Sequence, residues 1–317
     1  MKKMNYKKQT NTFFIYTIFL YSLIYIFVNL FIDPYYEIVQ DRSAYNRKHS
    51  ESIYSTNMLL DKLNKGKYNL VFGTSRSHKI GSATFSGKKI LNFHALYGNT
   101  ESILNLLKSL DKKQIENIES IYMLIDFHTF NEKSRHDDIL YSNFSNYFYS
   151  VINLDYYKFY ISVVYMIKNL FEYPFKHYIN DFGVLLNDSY SYKYRLPESV
   201  KYMAFDEKYL DKLRQIVDFT ENNGKTIIFF TPTITQKRYI EMQKYKDLIC
   251  DTRKAVLSIT NKVYDLTLVD SVSGDTKYFS DPDHLSSDGV SIVLKSMESG
   301  YGKVTSSKDL FFCKSYY

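Results

Sequence analysis

Two short segments, far apart in the chain, carry side chains suited to acyl chemistry. One reads Leu70-Val71-Phe72-Gly73-Thr74-Ser75-Arg76, a small-residue turn with a serine after a strand-like run. The other reads Phe279-Ser280-Asp281-Pro282-Asp283-His284-Leu285-Ser286-Ser287-Asp288-Gly289, an Asp-x-x-His just ahead of a helical stretch. A serine hydroxyl is a poor nucleophile until a base takes its proton, and imidazole has a suitable pKa for that task. The imidazole in turn needs a partner to fix its tautomer. Ser75 is therefore the candidate nucleophile, His284 the base and Asp281 its orienter, with Asp283 a second candidate for the last role. Gly73 and the backbone N–H groups of the turn would receive an oxyanion, and Arg76 would either meet an anionic part of a substrate or, as a helix-start arginine, simply be solvated. The same Gly-Thr-Ser-Arg-Ser run also suits a plain helix cap or a phosphate cradle. Phosphate-ester chemistry there would need a metal site or further converging cations, and the sequence offers neither. The other histidines, His49, His78, His94, His128, His136 and His177, lack a comparable setting, although His78 and His128 flank predicted strand ends.

Such residues need a scaffold, and the chain alternates short apolar strands with amphipathic helices. Strands are expected at Asn69–Gly73, Lys89–Phe93, Ser120–Asp126, Thr226–Phe230 and Lys262–Leu266. Ser120–Asp126 is solidly apolar, the mark of a strand buried on both faces. Helices are expected at Glu101–Leu110, with Ile103, Leu106, Leu107 and Leu110 on one face, at Asp206–Asn223, and at Ser286–Met297. This alternation predicts an α/β fold, a parallel sheet covered by helices, with Asn69–Gly73 and Ser120–Asp126 as adjacent central strands. In such a sheet reactive groups gather at the carboxyl ends of the strands, where Ser75 falls. Residues 133–204 break the rhythm. They are rich in Tyr and Phe and read as a mostly helical insertion, either a packed subdomain, a lid, or an aromatic surface facing the bilayer or a glycan.

Charge placement predicts a membrane anchor. Lys2, Lys3, Lys7 and Lys8 precede a run from Thr12 to Ile32 without a charged side chain. A helix of that length spans roughly 30 Å, the thickness of a bilayer's hydrocarbon core. Asp33-Pro34 stops it and offers no small-residue cleavage site, so an uncleaved anchor is expected rather than a signal peptide. The lysine flank keeps the N-terminus cytoplasmic and puts the rest outside. The chain thus divides into a cytoplasmic flank (1–11), a transmembrane anchor (12–32), a stalk (33–67) containing a helix near Ser50–Leu63, and a domain over 68–317. The formal charge of +7 is scattered and no recognition motif accompanies it, which argues against nucleic-acid binding. The two cysteines, Cys250 and Cys313, show no metal-ligand spacing, and whether they pair is open.

The two chemical segments, in their order and wide separation, resemble the first and last blocks of the SGNH (GDSL-like) hydrolase superfamily. Gly73-Thr74-Ser75 matches Gly-x-Ser, and Asp281-Pro282-Asp283-His284 matches Asp-x-x-His. More closely, the chain resembles the membrane-anchored, extracytoplasmic members, such as the teichoic-acid D-alanyl-transfer and alginate O-acetylation proteins. The resemblance implies a three-layer, flavodoxin-like fold over about 68–300. It also implies an oxyanion glycine after the second strand, where Asn92-Phe93-His94-Ala95-Leu96-Tyr97-Gly98 supplies Gly98, with Asn92 nearby. The family's Gly-x-Asn after the third strand is absent, for the chain reads Ile125-Asp126-Phe127-His128-Thr129-Phe130-Asn131.

The expected activity is transfer or hydrolysis of an acyl ester on an envelope polysaccharide or polymer, with no metal or organic cofactor. The partners would be that polymer or an acyl-donor protein in the membrane. The alternative is a catalytically silent binding or assembly protein that keeps the fold.

Overall fold

A computed structural model of the chain describes residues 16, 17, 19–24, 51–85, 87–96, 98–126 and 207–314. The chain divides into two compact units, Met1–Asn57 with Asn143–Lys176, and Met58–Ser142 with His177–Tyr317. In the first unit residues 16, 17, 19–24 and 51–57 are described and helical, and Tyr16, Phe19, Leu20, Tyr21, Leu23 and Ile24 are exposed. The rest of the expected 12–32 anchor, the 133–204 insertion and His49, His128, His136 and His177 lie outside the described residues. Among the described residues no helix is long and apolar enough to cross a membrane.

The second unit is built on a sheet of five parallel strands, β1 (Tyr68–Phe72), β2 (Ile90–Asn92), β3 (Ile118–Leu124), β4 (Thr226–Phe230) and β5 (Val263–Tyr264), in the order β2-β1-β3-β4-β5. The fold class is α/β. β1 and β3 are neighbours, with Phe72 opposite Met123, and Leu124 stands opposite Phe230 on β4. Val71, Phe72, Met123, Phe229 and Phe230 are all buried, as expected of parallel strands shielded on both faces. β2 and β5 are shorter than the runs expected from sequence.

Helix α1 (Glu51–Lys65) enters this unit at Met58, and within it lie α2 (Thr100–Ser109), α3 (Lys112–Glu116), α4 (Glu207–Asn222), α5 (Gln236–Met242), α6 (Lys246–Leu257), α7 (Asp270–Ser273) and α8 (Ser287–Glu298). α8 starts where Ser286 caps it, its hydroxyl accepting from the Gly289 amide. Its Val290, Val293, Leu294 and Met297 bury against Val71, Tyr122, Leu124 and Phe230. α4 carries Leu210, Leu213, Ile216 and Val217 on one buried stripe. It packs on β4 and on α2, and Lys212 pairs with Glu101 at 2.8 Å. The second half of α1 belongs to this unit and is more than stalk. Met58, Leu59 and Leu63 are buried, and the Asn117 side chain donates to the Leu63 carbonyl at 2.7 Å.

The order in which strands are added to the sheet reverses at β1. From β1 the path goes to β2 on one side, then to β3 on the other. The crevice outside the carboxyl ends of β1 and β3 is thus a topological switch point, where ligands bind in open α/β sheets. Thr74-Ser75-Arg76 follows β1 there, and Ile125-Asp126 follows β3.

Candidate functional site

The turn after β1 is tight because Gly73 has no side chain. A Cβ there would lie 2.5 Å from Ser77 Oγ and 3.0 Å from Leu124 Cβ, so any other residue would push the turn off the sheet. Thr74 caps a single 3₁₀ turn, Ser75–Ser77. Its hydroxyl accepts from the Arg76 amide at 3.3 Å, and the Ser77 side chain and amide both donate to the Thr74 carbonyl. Thr74 and Ser77 are buried, whereas Ser75 between them is exposed.

The Asp-x-x-His segment forms a small antiparallel hairpin, β6 (Phe279–Asp281) and β7 (His284–Leu285), in which Asp281 faces His284 across the turn. That register explains the three-residue spacing. His284 Nδ1 lies 2.8 and 2.9 Å from the two Asp281 carboxylate oxygens. Asp281 Oδ1 also accepts the amides of Asp283 (2.8 Å) and His284 (3.0 Å), so the carboxylate folds its own loop. Burial alone would raise the Asp281 pKa. The hydrogen bond and charge of His284 and the two loop amides outweigh burial and hold it below the ordinary carboxylate value. With Nδ1–H donated to Asp281, His284 presents a lone pair at Nε2. The Ser75 hydroxyl lies 2.8 Å away and donates to it. Proton removal from Ser75 needs no further approach.

Gly98 sits beside this turn with φ +70°, a left-handed conformation that glycine tolerates best. A Cβ on Gly98 would lie 3.2 Å from Thr74 Cγ2 and 3.8 Å from the Gly73 carbonyl carbon. Among the described residues no hydrogen bond uses the backbone amide of Ser75 or of Gly98. Asn92, fully buried at the end of β2, donates to the carbonyls of Ser77 (2.7 Å) and Ile80 (2.8 Å), and its oxygen accepts from the His94 amide. It supports the serine turn from beneath.

Arg76 does not present its charge to solvent. Its side chain is 8% exposed and Nη1 donates to both Asp126 oxygens, at 2.7 and 2.6 Å. Nη2 lies 3.4 Å from Asp283 Oδ1. Burial opposes the charge, but Asp126 and then Asp283 hold it, raising the pKa further above its usual value. Asp126 also accepts from Thr74 Oγ1 at 2.5 Å. Asp283 takes a second guanidinium, that of Arg238 on α5, at 2.9 Å. Asp281 therefore orients His284, while Asp283 belongs to a charge network.

His78 closes the site from behind. It is buried, its Nδ1–H donates to the Ser75 carbonyl, and its ring centroid lies 5.6 Å from that of His284. Burial, followed by the nearby His284, His94 and Lys79, lowers its pKa to about 3, so it stays neutral near pH 7. Among the described residues no group of three or more His, Cys, Asp or Glu is arranged to hold a metal ion.

Thr74, His78, Asp126 and Arg238 were not singled out as site residues by sequence. Asp126 carried a faint signal, an acid ending a buried strand. Arg238 carried none, because only the fold brings α5 to the hairpin. Comparison of the chain with protein-family models, with curated proteins and with solved structures finds no match.

Proposed function

We propose that this protein is a membrane-anchored acyl-ester transferase or esterase that acts on a cell-envelope polysaccharide or polymer. The observation that carries the reading is the Ser75–His284–Asp281 chain of hydrogen bonds, at 2.8 Å from Oγ to Nε2 and 2.8 Å from Nδ1 to the carboxylate.

In this mechanism Ser75 Oγ attacks the acyl carbonyl while its proton passes to His284 Nε2. The tetrahedral oxyanion is received by the amides of Ser75 and Gly98. Collapse breaks the ester C–O bond, and His284 returns the proton to the departing alkoxide. The acyl group is then an ester of Ser75. A water or a polymer hydroxyl, deprotonated by His284, attacks that ester, and Ser75 leaves with the proton. Asp281 stabilises the imidazolium at each step. No cofactor takes part.

The strand order β2-β1-β3-β4-β5 is that of flavodoxin-like sheets and supports the SGNH-like assignment. The extracytoplasmic placement is supported by the Cys250–Cys313 disulfide, a bond that persists in oxidising compartments. The exposed apolar side chains on helical residues 16, 19–21, 23 and 24 support the anchor.

One observation favours the second reading, a silent binding or assembly protein. At the end of β3, where the family places an amide donor, Asp126 is committed to Arg76 and Thr74. The deciding experiment purifies the full chain in detergent and measures labelling of Ser75 by a fluorophosphonate and turnover of a small activated ester. In parallel, the acyl content of the envelope polymer is measured in cells lacking the protein and complemented with Ser75→Ala. Labelling at Ser75 and failed complementation are expected. Full restoration of acyl content by Ser75→Ala would sink the nucleophile and leave the assembly role.

A further inference from the structure

Arg76 directly follows Ser75, and Asp283 directly precedes His284. The Arg76–Asp283 ion pair therefore runs alongside the Ser75–His284 hydrogen bond, one residue over. We infer that this pair is a positioning clamp that sets the register of the Asp281–His284 hairpin against the Ser75 turn. The inference rests on the reading of Ser75 and His284 as the reacting pair.

The hairpin needs such a device. β6 and β7 form a separate two-stranded sheet outside the five-stranded one. Asp281 and His284 keep about a quarter of their side-chain surface exposed. A lone hydrogen bond at an exposed serine is too weak to fix a loop. The charged contacts alongside are better shielded. Asp126 is fully buried and fixes Arg76 to the end of β3 through both carboxylate oxygens. Arg238, on α5, has a 4% exposed side chain and reaches the same Asp283 oxygen as Arg76, Oδ1, at 2.9 Å. A backbone bond from the Thr235 amide to the Pro282 carbonyl, at 3.3 Å, adds a third tie. The hairpin tip is thus tied through one carboxylate to two guanidinium groups, each anchored to a different element. A displacement of about 1 Å between nucleophile and base can cost on the order of a hundredfold in rate, so a clamp one residue away acts on catalysis without touching substrate.

The variant that tests this is Asp283→Ala. It leaves Arg76 paired with Asp126 and Arg238 paired with Glu241, so no guanidinium loses its last carboxylate. Hydrogen exchange of the full chain in detergent is followed by mass spectrometry, with fluorophosphonate labelling of Ser75 measured on the same samples. The Asp283 and His284 amides are bonded to Asp281 Oδ1 and report hairpin opening. In Asp283→Ala, exchange across 279–286 should rise by about tenfold or more while β1 and β3 stay as in the wild type. Labelling should slow by roughly a hundredfold. Asp283→Glu, which keeps a carboxylate for both arginines, should recover most of both. Unchanged exchange across 279–286, or faster exchange with an unchanged labelling rate, would overturn the clamp. A wild-type chain that never labels at Ser75 counts against the nucleophile, while exchange still decides the clamp.

Discussion

Ser75 and His284 are 209 residues apart in the chain and 2.8 Å apart in the fold, hydroxyl to imidazole Nε2. Two residues that share one proton transfer fail together. Ser75→Ala and His284→Ala should each lower ester turnover by on the order of a thousandfold or more. The double variant should be little worse than either single one. Turnover of an activated ester by the three purified proteins checks this. Multiplicative losses would mean that the two act separately. Thermal unfolding should change little, because Ser75 is exposed and His284 only partly buried.

Asp281→Asn isolates orientation from nucleophilicity. The asparagine oxygen can still accept the amides of Asp283 and His284, so the loop keeps its shape. Its NH₂ group, however, would face His284 Nδ1 as a donor and favour the wrong tautomer. The rate should fall by about tenfold or more, yet by less than in Ser75→Ala. A loss equal to that of Ser75→Ala would give Asp281 a role beyond holding the ring.

Gly98→Ala probes the loop proposed to complete the oxyanion hole. The new Cβ meets Thr74 Cγ2 at 3.2 Å and sits on a residue with φ +70°. The strain should cost about 1–2 kcal/mol of stability, read from urea unfolding. Because relief of the contact moves the Gly98 amide relative to Ser75, ester turnover should fall further than stability explains. An unchanged turnover per folded molecule would remove Gly98 from the site.

The extent to which the sequence foretold this arrangement follows from where each signal is stored. Strands such as Thr226–Phe230 are legible because apolar continuity is a local property, and the Ser286 cap is legible because its acceptor and donor lie three residues apart. The register of Asp281 and His284 is legible for the same reason. The pairing of Arg76 is not legible, since nothing local shows that Asp126, 50 residues on, waits at the end of the adjacent strand. Asn92 was placed at the site, but its contacts to Ser77 and Ile80 depend on how the turn folds back over β2. The helices α5 and α6 were not anticipated at all.

His78 predicts a pH dependence of stability. Its folded pKa, lowered to about 3 chiefly by burial, lies below the unfolded value near 6.5. The unfolded chain therefore binds the extra proton first. The contribution of neutral His78 is complete above about pH 6.5 and is lost as pH falls towards 3. Each pH unit in that window costs at most about 1.4 kcal/mol. Asp281, with a depressed carboxylate pKa, loses its contribution only at the acid end of the range. Urea unfolding of wild type and His78→Asn between pH 5 and 7.5 separates the two, since asparagine keeps a donor for the Ser75 carbonyl but cannot titrate. The variant should show a flatter profile. Parallel profiles would mean that His78 binds its proton equally in the folded and unfolded chain.

The disulfide between Cys250 on α6 and Cys313 near the C-terminus should set stability without setting activity. It closes a loop of 63 residues, for which constraint of the unfolded chain is worth about 2–4 kcal/mol. The C-terminal segment also has independent ties. The Phe311 amide donates to Asp265 at 2.9 Å, and the Phe312 ring stacks 4.9 Å from both Tyr239 and the Arg253 guanidinium. Asp265 is itself satisfied by Arg253, Thr231 and Thr267. The Cys250→Ser, Cys313→Ser double variant should thus unfold at a lower temperature yet keep the segment docked at 25 °C. Fluorophosphonate labelling of Ser75, whose turn and hairpin use neither cysteine, should proceed at the wild-type rate in the folded variant. Loss of labelling while the melting transition remains intact would show that the C-terminal segment supports the site directly.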